Sequence, residues 1–186
     1  GLPVLRLAGL VSVGAALTLA VSMAADYRRA RLLSFLHPDS DPLNTGYQTF
    51  QSLVGIAGGG WMGVGPGASR AKWGFLPYAH TDFIYTVIAE EMGFVGAVTV
   101  LMLFIGLAFF GIRAALKCDD KFGTLLAAGI SMWFLLQAFI NIGTVIGVLP
   151  VTGIPLPFVS FGGTSLLVGM AAVGIILNVD RQGHNE

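Results

Sequence analysis

The chain has 186 residues, of which 10 are Lys or Arg and 10 are Asp or Glu; 55% are hydrophobic, 11% are charged and the formal net charge is +0. An average soluble domain carries about 25% charged residues, so this composition excludes a disordered tail, a nucleic-acid-binding domain and an ordinary cytosolic enzyme. The single cysteine, Cys118, excludes an internal disulfide and a multi-cysteine metal site, and the class left is an integral membrane protein.

Three stretches lack any Asp, Glu, Lys or Arg: 7–25, 92–112 and 122–179. A spanning helix needs about 20 apolar residues, so each of the first two fits one span. The third is far too long for one. It is interrupted by Pro150, Pro155 and Pro157, which remove amide donors and break helices. The expected spans are about 5–25, 87–112, 123–147 and 160–179, with a hairpin at 148–159. In lipid every backbone group must be bonded internally, so the spans are helices. They also lack the dyad alternation of a membrane β-barrel. The first span ends in Ser22-Met23-Ala24-Ala25, which looks slightly like a signal-peptidase site, but the run is too long and three more spans follow. A start at Gly1, directly before a span, suggests a portion of a larger polytopic protein. The fold class is all-α, with about four transmembrane helices. Four spans leave 26–86 and the hairpin on one side, and 113–121 with both ends on the other. Basic residues divide evenly between the two sides, so charge does not decide orientation.

The long segment begins with DYRRARLLSFL at 26–36. This reads as a short interfacial helix whose Arg28, Arg29 and Arg31 face headgroups. A turn cluster holding Asp39 and Asp41 follows. Gly58, Gly59, Gly60, Gly63, Gly65 and Gly67 form a run flanked by Trp61 and Trp73. It lacks the Gly-Lys-Ser/Thr of a nucleotide loop, so the plainer reading is a tight loop whose backbone approaches something closely.

Asp82 sits just before or inside the next apolar helix. An ionisable group near membrane depth is a functional candidate by default, and a helix N-cap is the equal alternative. Glu90 and Glu91 read as first-turn or interface charges. Asp82 and Glu90 are about 12 Å apart along a helix axis, too far for a glycosidase-type carboxylate pair. His80 reads as a loop residue. Gln137, Asn141 and Ser165 read as polar groups bonding between helices. The stretch 158–165 puts small polar groups at the N-terminus of the last span, where helix amides would face an anion.

Four motifs together resemble the SEDS family, the shape, elongation, division and sporulation membrane proteins of the FtsW and RodA type. They are GYQTFQSLVGIAGGGWMGVGPGAS (46–69), HTDFIYTVIAEEMG (80–93), QAFINIG (137–143) and GVLPVTGIPLPFVSFGGTSLL (147–167). The resemblance covers nearly the whole chain in order, as the C-terminal part of a fold of about ten helices. Ala79-His80 and Lys72-Trp73 lean towards FtsW. Tyr85, Phe161 and Thr164 depart from the residues frequent at those places, and none removes a carboxylate.

The resemblance implies a peptidoglycan glycosyltransferase that polymerises lipid II and releases undecaprenyl pyrophosphate. The family's essential aspartate carries over to Asp82. It is expected to act as general base, or to hold a divalent cation such as Mg²⁺ or Mn²⁺; no organic cofactor is expected. Lys72, Arg70 and His80 are candidate phosphate or sugar contacts by proximity in sequence, and Ser160 and Ser165 are candidate substrate contacts. Expected partners are lipid II and the undecaprenyl-linked glycan, a class B penicillin-binding protein, and other divisome or elongasome membrane proteins, with no nucleic acid. The expected location is the bacterial cytoplasmic membrane, with 26–86 outside and the C-terminus inside. A lipid-precursor flippase and a non-catalytic division scaffold are the rival readings.

Overall fold

A computed structural model describes residues 3–24, 46–73 and 76–183. Every regular element among them is helical. The interfacial helix expected at 26–36 and the turn at 37–42 lie outside the described residues. The chain divides into two compact units, Gly1–Tyr47 and Gln48–Glu186. The first contributes α1, Val4–Ala24, where the first span is expected; its apolar stretch is Ala8–Thr18. Ser12 and Thr18 donate back to the carbonyls of Gly9 and Gly14 at 3.0 and 2.8 Å, so neither hydroxyl is left unbonded on an apolar helix.

The second unit holds α2 (Tyr47–Gly59), a 3₁₀ turn at Ala71–Trp73, α3 (Ile84–Lys117), α4 (Lys121–Val145) and α5 (Gly163–Gln182). Helices α3, α4 and α5 are long and apolar enough to cross a membrane. Three boundaries differ from the expected ones. Helix α3 runs on through Arg113 to Lys117, so the charged turn shrinks to residues 118–120. There Asp120 caps α4 by accepting the Gly123 amide at 2.9 Å. Helix α5 starts at Gly163, behind Gly162. Helix α2 interrupts what reads in sequence as one long polar loop.

The packing places small residues inside and large ones outside. Gly123, Ala127, Ser131, Phe134, Ala138 and Asn141 form the buried stripe of α4, at the three-to-four spacing of one helix face. Gly111 of α3 lies so close to Ser131 that a methyl group there would collide with its hydroxyl oxygen. Leu125, Met132, Leu136 and Phe139 point outward. In lipid, close backbone approach through small residues replaces hydrophobic burial as the packing force. Helix α2 enters by its Ser52, Gly55 and Gly59 face. The Ser52 hydroxyl donates to the Val145 carbonyl at 2.7 Å and accepts from Thr86 at 2.6 Å, tying α2 to both α3 and the end of α4.

Helix α3 is broken at Gly93, where φ is 66° and ψ is −164°. In an unbroken helix the amides of Phe94 and Val95 would bond the carbonyls of Glu90 and Glu91. Here the glycine-rich segment enters the gap. The amides of Val64 and Gly65 donate to Glu90 and Glu91 at 3.0 and 3.1 Å. The amides of Phe94 and Val95 donate to Gly60 and Trp61 at 2.8 and 3.3 Å. All four backbone groups orphaned by the break are therefore bonded again, as a low-dielectric setting demands. The close approach expected of the glycines is to this helix. A Cβ at Gly63 would strike the Glu91 carbonyl, and one at Gly93 would strike the Gly63 amide; both also lie at positive φ.

Gly93→Ala is expected to cost about 3 kcal/mol or more, through positive φ and a backbone collision together. Gly106→Ala, on the same helix with open space around it, is expected to be neutral or stabilising by up to about 1 kcal/mol. Thermal unfolding of the two variants in detergent checks the opposite signs.

Candidate functional site

Asp82 lies two residues before α3, whose N-cap position is Phe83 with no side-chain capping bond. The capping role is therefore not the one Asp82 fills. Its carboxylate is half-buried, and among the described residues no donor bonds it. One carboxylate oxygen lies 3.5 Å from where a Cβ on Gly153 would stand, and Gly153 has φ of 70°. The carboxylate thus faces the backbone of the proline hairpin.

The backbone around Asp82 is held tightly. The Tyr78 carbonyl collects the amides of Thr81, Asp82 and Phe83 at 3.2, 3.1 and 3.3 Å. Three successive carbonyls then accept from the opposite side. His80 accepts from the Phe161 amide at 2.9 Å. Thr81 accepts from the Ser160 hydroxyl at 2.6 Å. Asp82 accepts from the Asn141 side-chain amide at 2.9 Å.

Asn141 lies on α4, and the hairpin that leads to Ser160 and Phe161 is tied to the same helix. Gln137 donates to the Pro155 carbonyl at 3.0 Å. Asn141 donates to Ile154 at 2.7 Å, and Thr144 to Pro150 at 3.3 Å. These side chains sit at i, i+4 and i+7, on one helix face. Gln137 and Asn141 were expected to bond other helices. They bond the hairpin instead, because this irregular backbone at the end of the bundle has more carbonyls to satisfy than its prolines leave amides.

The other expected site residues divide. His80 is exposed, and the bond that holds it runs through its backbone. Ser160 donates to Thr81 and accepts from the Leu156 amide at 2.7 Å, so its hydroxyl is engaged within the fold. Ser165 is half-buried in the first turn of α5. Lys72 and Arg70 belong to a second cluster, and among the described residues no bond joins either to Asp82. Lys72 pairs with Glu91 at 2.9 Å. The Glu90 carboxylate, 5% exposed, accepts from the Ser69 hydroxyl at 2.6 Å and from the amides of Arg70 and Ala71 at 3.1 and 3.2 Å. Glu90 and Glu91 were read as first-turn or interface charges. They sit further into α3 and anchor the loop, a role that only the long-range fold reveals. The Arg70 side chain is exposed and borders a cleft of about 480 Å³ with Gln51, Gly58 and Val64. A second, apolar cleft of about 340 Å³ lies between Val100, Leu103 and Leu107 of α3 and Pro157, Phe158 and Val159. Among the described residues no three His, Cys, Asp or Glu side chains gather as a metal site.

A broken α3, a glycine loop sewn into it and an aspartate ahead of it can be compared with known proteins. The family model described as "Cell cycle protein", that of FtsW, RodA and SpoVE, matches residues 1–185. The chain belongs to this family. It is 48% identical over 160 residues to the probable peptidoglycan glycosyltransferase FtsW of Geobacter metallireducens, covering 86% of this chain and 43% of that protein. It is 47% identical over 159 residues to the stage V sporulation protein E of Bacillus subtilis, again 86% and 43%. Among solved structures it resembles a peptidoglycan synthase complex that coordinates polymerization and crosslinking, with TM-score 0.75 and 34% identity over 97% of this chain and 49% of that one. It also resembles a mutant of the rod shape determining protein RodA of Thermus thermophilus, with TM-score 0.54 and 38% identity over 57% of this chain and 36% of that one. The chain thus spans less than half the length of these FtsW and SpoVE relatives, and as a member of the family it is a multi-pass membrane protein.

The two adjacent glutamates differ in what they hold. Glu90→Gln leaves part of a buried donor set unanswered and is expected to cost about 1–3 kcal/mol. Glu91→Gln loosens a partly exposed ion pair and is expected to cost less than about 1 kcal/mol. Paired denaturation curves in detergent check the order.

Proposed function

We propose that the protein of which this chain forms part is a peptidoglycan glycosyltransferase that polymerises lipid II into glycan strands. The observation that carries the proposal is the state of Asp82: its amide donates to the Tyr78 carbonyl and its carbonyl accepts from Asn141, while no described donor bonds its carboxylate. A carboxylate spent on structure would be surrounded by donors, as Glu90 is. One held in place with its oxygens unspent suits a general base, which needs geometry first and open lone pairs second. The names of the FtsW relatives point to the same chemistry.

In this reading the Asp82 carboxylate takes the proton of the acceptor sugar's 4-hydroxyl. The freed oxygen attacks the donor's anomeric carbon. The new glycosidic C–O bond forms as the bond to undecaprenyl pyrophosphate breaks, and the proton leaves Asp82 afterwards. The departing pyrophosphate takes the electron pair of the broken bond and spreads the charge over its phosphate oxygens, so no second carboxylic acid is required, in contrast to glycoside hydrolysis. Lys72 is paired with Glu91, which leaves exposed Arg70 as the better placed of the two for phosphate charge. A divalent cation would draw on Asp82 and on the substrate's own phosphate oxygens, a ligand set that Mg²⁺ accepts. The apolar cleft lined by Pro157, Phe158 and Val159 suits a polyprenyl chain, and Gly153 of the same hairpin faces Asp82. The rival transporter path through Asp82 and Glu90 is the less favoured reading, since the Glu90 carboxylate is committed to bonds with Ser69, Arg70 and Ala71.

The location proposed is the bacterial cytoplasmic membrane. Asp82, α2 and the hairpin lie outside; residues 118–120 and the C-terminus lie inside. A class B penicillin-binding protein is the proposed partner, on the likeness to the synthase complex, with other divisome or elongasome proteins around it.

Purified full-length protein with its penicillin-binding partner is expected to make glycan strands from lipid II. Asp82→Asn, which keeps shape and removes the base, is expected to slow this about 10²- to 10⁴-fold. Strands resolved on a gel give the measurement, and a wild-type rate from the variant would refute the assignment.

A further inference from the structure

Two side chains that the proposed chemistry does not use determine where its base can stand. Asn141 is 2% exposed, and its Nδ2 donates to both the Asp82 carbonyl and the Ile154 carbonyl. Its Oδ1 is buried and, among the described residues, has no partner. Turning the amide over would place Oδ1 against two carbonyl oxygens, so the orientation follows from the partners. A buried acceptor left without a donor is uncommon in native structures and calls for a reason. The reason on view is that one short side chain must donate twice, to the residue carrying the carboxylate and to the hairpin facing it. Ser160 makes a second bridge of the same kind. It accepts from Leu156 within the hairpin and donates to Thr81, next to Asp82.

We infer that Asn141 and Ser160 are positioning residues, which fix the Asp82 carboxylate against Gly153 by clamping the backbone of residues 81–82 to the hairpin. The inference rests on the reading of Asp82 as the base. The clamp acts on main chain, so its loss leaves the carboxylate chemically intact and displaces it. A reacting group displaced by about 1 Å loses on the order of a hundredfold in rate, while binding of substrate through other groups is little affected.

The test is lipid II polymerisation by the full-length protein with its penicillin-binding partner, with kcat, KM and Tm measured for Asn141→Leu, Ser160→Ala, Ser160→Thr and Asp82→Ala. The expected result is a fall in kcat of about ten- to a hundredfold for Asn141→Leu and Ser160→Ala, with KM within about twofold of wild type. Ser160→Thr keeps the donor and is expected to recover most of the rate. If Asn141→Leu does not fold, the Ser160→Ala and Ser160→Thr pair decides alone. Wild-type kcat in both clamp variants would overturn the inference. So would a loss of activity fully accounted for by a fall in Tm and in the folded fraction. A wild-type rate from Asp82→Ala would overturn the reading of Asp82 itself, a result distinct from the other two.

Discussion

The second unit depends on a helix that is not allowed to be continuous. Gly93 removes two backbone bonds from α3. Among the described residues, the groups that take them up are amides and carbonyls of residues 60–65. Helix and loop are thus obligatory partners: neither satisfies its backbone without the other. That seam then brings residues 67–72 onto Glu90 and Glu91. Leu76 and Ala79, the buried residues ahead of Asp82, belong to the same core.

At the same end of the bundle a second irregular segment is solved differently. The hairpin after α4 contains three prolines and two glycines of positive φ, Gly147 and Gly153, and it forms no ladder of its own. The carbonyls of Pro150, Ile154 and Pro155 are taken up by one polar face of α4, and the Ser160 hydroxyl and Phe161 amide that follow donate to Thr81 and His80. The seam in α3 is backbone to backbone, whereas the hairpin is held mostly by side chains. Asn141 donates both to the Asp82 carbonyl and to the hairpin, which is why a side chain on a spanning helix bears on a residue outside that helix.

How much of this is legible in the residues differs from one element to the next. The charge-free runs announce the spans because lipid tolerates few charges at any position, a one-dimensional constraint. The crowded glycines announce a close approach, but its target lies about 30 residues away, and spacing carries no record of it. Glu90 reads as an ordinary early-helix charge because its three donors come from a loop that folds back over α3. Gln137, Asn141 and Thr144 lie on one face by simple periodicity. What that face meets depends on where the prolines send the chain next. Helix α2 is hard to see for the opposite reason: its buried face is made of Ser52, Gly55 and Gly59, residues whose local preferences point away from a helix and which are favoured here only by the closeness of their neighbours.

The clamp on residues 80–82 reaches the chain only through carbonyl oxygens, which every amino acid possesses. The imidazole of His80 has no part in it, and the Thr81 hydroxyl turns back to the Tyr78 carbonyl. The side chains beside the carboxylate are thereby uncoupled from the task of placing it. Replacing the His80 or Thr81 side chain would leave the bonds from Phe161, Ser160 and Asn141 to these three carbonyls in place.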